Sequence, residues 1–319
     1  MRCFRSIKPS PSTPPLILQA NADTGTNTLV EELLENKTYF QSQLYIHGAI
    51  VIRGFDINDQ HDFERVCRSI NPKLLSYIGG GIDRTAQGGE IYTSTDYPAA
   101  EKIPQHIEAC YLRNSPKQLF FFCETPCQSG GQTPIADMNK ILDQIDPAIL
   151  NRFKQQDLCY ISNLHGGNGF GQSWMEIYAT DAREVAEERI EELGCDFEWL
   201  DNKSLRVKSY TPALRQHSHT GLDYWANQAV TWHPSWFGSK RYAVLKKIYG
   251  NLNNFPKSVC FANGEEIIEN DIQHIRDILD QNEVVFKWEK NDILVIDNQR
   301  ISHGRQPFCG DRKILVALA

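Results

Sequence analysis

Ile293-Leu294-Val295-Ile296-Asp297-Asn298-Gln299-Arg300-Ile301-Ser302-His303-Gly304-Arg305 is the stretch on which the fold is decided. Its first four residues are an apolar run that, with Asp297, has strand length. They read as the second arm of a hairpin whose first arm is residues 283–288, turned around Lys290-Asn291, and a closing strand follows at 313–318. Working outward, strands are expected at 49–54, 119–124, 196–200 and 204–211, the last two joined at Asp201-Asn202. A further hairpin turns at His219-Thr220-Gly221. Helices are expected at 28–41, from a cap at Asn58 through 69, at 137–145, after Asp146-Pro147, at 181–193 behind Thr180, at 239–249 and at 270–281. Many strands with helices gathered in blocks predict a mainly antiparallel α+β protein, mainly β with helical insertions. A jelly roll satisfies that pattern, because it lets residues far apart in sequence meet at one end of a barrel.

His303 gains meaning from a second segment, His106-Ile107-Glu108. Alternate residues of a strand share a face, so an extended 106–108 aims a histidine and a carboxylate at one point. A second histidine from elsewhere completes the two-His, one-carboxylate set that holds non-haem Fe(II) with open positions. The tripeptide alone carries nothing: 9 His and 40 Asp+Glu in 319 residues supply about one His-x-Asp/Glu by chance.

Composition narrows the class. A chain of 319 residues, 41% hydrophobic, with no compositional break can bury a large core. The expected organisation is an irregular N-terminal segment, 1–25, followed by one domain over 26–319 with a helical and hairpin insertion at about 165–282. No apolar run reaches membrane-spanning length, and the Pro/Ser/Thr-rich start lacks a signal-peptide core, so a cytoplasmic protein is expected. Nine scattered cysteines fit free thiols. A net charge of −7 without a basic run argues against nucleic acid as a partner. The glycine-rich stretch 75–89 and His165-Gly166-Gly167-Asn168-Gly169 read as loops, the latter a lid rather than a phosphate loop because no Lys-Ser/Thr ending follows. His217, His219 and His233 are noted as a conceivable second metal set.

Seven segments in order resemble the TauD/TfdA family of Fe(II)- and 2-oxoglutarate-dependent oxygenases, and within it the branch with the syringomycin-biosynthesis hydroxylases. They are 92–98, 106–108, Gly130-Gly131-Gln132-Thr133 through Asp137, 171–176, Trp225-Ala226-Asn227-Gln228, 264–267 and 297–312. The resemblance implies a double-stranded β-helix (jelly roll, clavaminate synthase-like), with Fe(II) held by His106, Glu108 and His303 and with 2-oxoglutarate and molecular oxygen as cosubstrates. It assigns the distal carboxylate of 2-oxoglutarate to Arg312 with Thr133 beside it; Arg305, nearer to His303, is the rival. A guanidinium offers a planar fork that suits a carboxylate. Related halogenases lack the carboxylate ligand, so Glu108 argues against halogenation. Ile107 stands where that branch often has Asn.

The implied reaction is hydroxylation of an amino acid or similar small polar substrate, free or tethered to a carrier protein, in specialised metabolism. Desaturation, cyclisation or sulfonate C–S cleavage would use the same site. A silent jelly-roll binding module and a zinc hydrolase are the readings from other classes; the second leaves Thr133 and Arg312 without a role. The sequence leaves the oligomeric state open.

Overall fold

The computed structural model describes residues 3–7, 14–21, 24–76, 85–94, 97–169, 171–200 and 203–319. Most of the glycine-rich stretch, Thr95-Asp96 and the turn at Asp201-Asn202 lie outside them. The central element is an eight-stranded sheet in the order Phe4–Ile7, Leu16–Ala20, Ala49–Arg53, Ile293–Asp297, Gln118–Thr125, Lys313–Leu318, Ile91–Thr93, Ala86–Gly88. All pairings are antiparallel except that of Leu16–Ala20 with Ala49–Arg53.

Two-residue alternation explains how this sheet is used. Along Gln118–Thr125, Phe120 and Phe122 face one side, where they pack with Leu29, Leu33, Phe40, Phe63 and Val66 from three helices, Thr26–Glu35, Lys37–His47 and Gln60–Ile70. Leu119, Phe121 and Cys123 face the other side and meet Val51, Leu294, Val316, Ile135 and Ile301. Each fully buried side chain of this size contributes about 1.5–3 kcal/mol. Ile135 and Ile301 belong to a second, three-stranded sheet, ordered Ile103–His106, Ile301–Arg305, Ile135–Asp137, which therefore lies on that second face.

The jelly-roll expectation is corrected by this topology. The described strands divide among five sheets, and none closes on itself. The central and three-stranded sheets meet through side chains, not through a continuous ladder, and short strands terminate both edges of the central sheet. Helices, not further strands, cover its outer face. The fold is therefore α+β with several separate sheets rather than a double-stranded β-helix.

Other differences are local. Residues 283–288 form no strand; Val284 makes one bridge, to Ile135. Ile293–Asp297 instead pairs with Ala49–Arg53 and Gln118–Thr125. The helix expected at 28–41 is two, broken at Asn36, whose backbone leaves helical geometry (φ −111°). Asp59, not Asn58, caps Gln60–Ile70, accepting from the amides of His61 and Asp62. The N-terminal stretch carries two strands where irregular chain was expected.

Residues between the last strands of the core build a separate four-stranded sheet, Asp196–Trp199, Leu205–Thr211, Leu158–Leu164, Lys257–Phe261. Ser239–Tyr249 packs near its outer strand, its buried Tyr242 clustering with Phe255 and Cys260. All nine cysteines are free. Among the described residues no helix is long and apolar enough to cross a membrane.

Candidate metal centre

Three ligand-type side chains converge where the three-stranded sheet faces the central one. His106 ends its strand and stands directly opposite His303 in the neighbouring strand. Their rings lie 4.3 Å apart between centroids. Glu108 Oε2 is 3.8 Å from His106 Nε2 and 3.6 Å from His303 Nε2. One donor atom from each lies within 4.8 Å of the others, and all three residues form the one such group of His, Cys, Asp and Glu found among the described residues.

The route by which Glu108 arrives differs from the expected strand. The strand Ile103–His106 stops at the first ligand, and Glu108 lies on a turn that continues through Ala109 at φ 49°. Asn298 clamps that turn: its Oδ1 accepts from the Glu108 amide at 2.9 Å, and its Nδ2 donates to the carbonyls of Glu108 at 3.1 Å and Pro116 at 2.7 Å. Gln228 Nε2 adds a bond to the Ile107 carbonyl at 2.6 Å. A buried carboxamide thus replaces strand periodicity as the device that aims the carboxylate.

The histidines are oriented by their backbone. His106 Nδ1 lies 2.8 Å from the Pro104 carbonyl, which accepts only if Nδ1 carries the proton. That tautomer leaves the Nε2 lone pair facing the cluster, as a metal ligand requires. His303 is followed by a shift in register between residues 303 and 305 against the 103–106 strand. Gly304 sits at this irregularity, and a Cβ there would meet the Ile103 carbonyl oxygen at 2.6 Å. Glycine is required because the two backbones approach too closely for a side chain.

The same pocket is lined by Thr133, Arg305 and Arg312. The two arginines differ in what they touch. Arg305 donates through Nη1 to the Tyr97 carbonyl and through Nη2 to the carbonyls of Pro98 and Glu101, so it staples the 97–101 segment. Among the described residues, Arg312 makes one hydrogen bond, from Nε to the Gly131 carbonyl at 3.0 Å, and pairs with no carboxylate. Withdrawal from water, with Arg305 adding repulsion, pulls the Arg312 guanidinium down to about 10. A half-buried guanidinium that pairs with no carboxylate among the described residues keeps donors free for an anion. Gly131 permits it: a Cβ there would crowd Arg312 Cδ and Nε at 3.1 Å, and its φ is 64°. Trp288 Nε1 donates to Thr133 Oγ1 at 3.1 Å, which leaves the hydroxyl proton of Thr133 for another acceptor.

The donor set fits a divalent metal. It comprises two imidazoles, one with its tautomer fixed by a carbonyl, and one carboxylate, with a cation nearby for the far end of a dicarboxylate. Asn298 and Gln228 fall within segments that carried the family resemblance, yet their clamping of Glu108 and Ile107 was not legible there. Trp288 had no sequence signal. Among the described residues the other histidines make no second metal-ligand cluster. His217 bonds Asp297 at 2.8 Å, His219 stacks on Tyr45 at 4.0 Å, and His233 is buried against Tyr242.

Comparison with known proteins agrees with this geometry. Residues 7–318 match the family described as taurine catabolism dioxygenase TauD, TfdA family, and the chain belongs to that family. It is an Fe(II)/2-oxoglutarate-dependent oxygenase, with Fe(II), 2-oxoglutarate and oxygen as its cofactor and cosubstrates. The dapdiamide synthesis protein DdaC of Enterobacter agglomerans is 35% identical over 274 residues, 85% of this chain and 82% of that protein. A clavaminate synthase-like protein of Arabidopsis thaliana is 28% identical, over 88% of this chain and 84% of its own length. Among solved structures, PvcB from Pseudomonas aeruginosa shares the fold at TM-score 0.56 and 14% identity, covering 99% of this chain and 90% of that one.

Proposed function

We propose that His106, Glu108 and His303 hold the Fe(II), that Arg312 with Thr133 receives the distal carboxylate of 2-oxoglutarate, and that the enzyme hydroxylates an unactivated C–H bond of an amino acid or related small polar substrate, free or carrier-tethered. The observation that carries the cosubstrate assignment is the contrast between the arginines. Arg305 spends its terminal nitrogens on three backbone carbonyls, whereas Arg312 reaches the same pocket with no acid beside it. Arg305 is then a positioning residue that holds the 97–101 segment against the site.

Bound iron supplies the oxidation of the C–H bond at the expense of 2-oxoglutarate and oxygen. The chain's own groups do the rest. Pro104 holds the His106 tautomer, Asn298 holds the Glu108 turn, and Phe121 walls His303 with ring centroids 5.2 Å apart. Glu108 keeps a coordination position from an added anion, which supports oxygen insertion over halogenation.

The amino-acid-like substrate class rests on the likeness to the syringomycin-biosynthesis branch and on a 35%-identical relative named for dapdiamide synthesis. The family description favours a second reading, sulfonate C–S cleavage, because it is named for taurine catabolism. The test is substrate-dependent succinate formation with a panel of amino acids, carrier-bound aminoacyl groups and alkyl sulfonates, products being followed by mass. A gain of one oxygen on an amino acid supports the first reading; release of sulfite with no oxygenated amino acid supports the second.

A further inference from the structure

A large apolar cavity shares no lining residue with the metal pocket. It measures about 680 Å³, within the range of a site for one small organic molecule. Its walls come from the helix Ser239–Tyr249 and from the chain entering the strand Lys257–Phe261, with Phe237, Val244, Leu245 and Phe255 as the apolar surface. Phe237 and Val244 are 54% and 56% exposed, an unusual cost for large apolar groups that nothing in the chain covers among the described residues.

Charge tells what kind of molecule fits. Lys240, Arg241 and Lys257 line the cavity, and no Asp or Glu does. The helix Ser239–Tyr249 has four cations and no acid, in a protein of net charge −7. Lys246 is paired with Glu266 at 3.2 Å, but Lys240 and Arg241 have no carboxylate partner among the described residues. Lys257 is held by Gln172 at 3.2 Å, with its ammonium 5.7 Å from the Trp232 ring, so it offers a fixed charge at the inner wall.

We propose that this cavity is a second binding site, for a small amphipathic anion: an aliphatic carboxylate whose chain lies on Phe237, Val244, Leu245 and Phe255 and whose head meets Lys240 and Arg241. The apolar walls supply most of the affinity by removing hydrocarbon from water, and the cations choose the head group. Binding there is independent of the iron site.

Calorimetry on the full chain with decanoate, below its micelle-forming concentration, tests this. Decanol and decyltrimethylammonium serve as the neutral and cationic counterparts. One decanoate is expected to bind, at least tenfold more tightly than decanol, with the cation weakest. Lys240→Glu combined with Arg241→Glu is expected to remove the preference for decanoate over decanol. Val244→Trp, an exposed position that tolerates bulk, is expected to weaken both ligands. Glu108→Ala and Arg312→Leu are expected to leave decanoate binding unchanged, which separates this site from the cosubstrate pocket. Absence of binding, equal binding of decanol, binding that survives the cavity variants, or binding lost with Arg312→Leu each overturns the proposal.

Discussion

The metal corner and the 237–257 rim solve opposite problems with the same kinds of residue. At the corner, His106 and His303 sit on adjacent strands of the three-stranded sheet and Glu108 on the turn that follows, and their aim is set by Pro104, Asn298 and the close approach at Gly304. At the rim, Val244 and Ile248 are exposed on the helix Ser239–Tyr249, which buries only Tyr242, and Phe237 is exposed just before it. Arginine shows the contrast best: Arg312 is half-buried beside the histidines, while Arg241 stands in water. The lesson is that the groups of the metal corner are held by buried hydrogen bonds and close backbone packing, whereas the rim leaves its apolar and cationic groups facing solvent.

The comparison breaks most sharply at Glu108. Glu108→Ala should lower metal affinity more than about a hundredfold and abolish substrate-coupled turnover, since it removes a ligand where outer-shell changes alone cost about 10–100-fold. Equilibrium dialysis against Mn(II) and product analysis would read both, and normal coupling would take Glu108 out of the centre. Next in size, Arg312→Leu should raise the KM for 2-oxoglutarate about 10–100-fold, the equivalent of a charge-assisted hydrogen bond of about 1.5–3 kcal/mol. Arg305→Leu should chiefly loosen the 97–101 segment. Steady-state kinetics on the pair decides, and the reverse ranking would exchange their roles.

Asn298→Ala should weaken metal binding by about tenfold while leaving 2-oxoglutarate recognition on the metal-loaded enzyme near normal, because it frees the turn that presents Glu108. Metal titration of the folded variant checks this; unchanged affinity would make Asn298 purely architectural. The effect furthest from the reaction, on stability rather than activity, belongs to the histidine near the rim. Burial holds the His233 imidazole down to about 4. Below pH 6.5 the unfolded chain takes up a proton that the folded chain refuses. Its contribution to stability is thus present above pH 6.5 and lost as pH falls toward 4, by up to about 3 kcal/mol. His233→Asn should flatten that limb of the stability profile measured by urea unfolding, and an unaltered limb would place the loss elsewhere.

The grouping of His106, Glu108 and His303 was suggested by the ordered segments of the family resemblance, not by His-x-Glu alone, and the three side chains do lie together. The way Glu108 is aimed was not legible, since the strand ends at His106 and the turn is closed by Asn298, almost two hundred residues away in sequence. The resemblance put Arg312 ahead of Arg305 for the cosubstrate, but the physical contrast between them was not legible, because both follow His303 and only tertiary partners distinguish a cation bonded to backbone carbonyls from one with a single such bond. Sheet closure failed for a related reason. Apolar periodicity places strands such as Ile293–Asp297 and Lys313–Leu318, but it is silent on pairing, and residues 283–288 gave up their expected hairpin to let Ile293–Asp297 join Ala49–Arg53 and Gln118–Thr125.

The most direct test of the account is an anaerobic titration of the metal-free protein with Fe(II), with and without 2-oxoglutarate, following the visible metal-to-ligand charge-transfer absorption in the wild type, Glu108→Ala and Arg312→Leu. The account predicts a band that requires both additions, is lost in Glu108→Ala and needs much higher 2-oxoglutarate in Arg312→Leu. A band of normal strength and midpoint in either folded variant, or no band in the wild type, would contradict it.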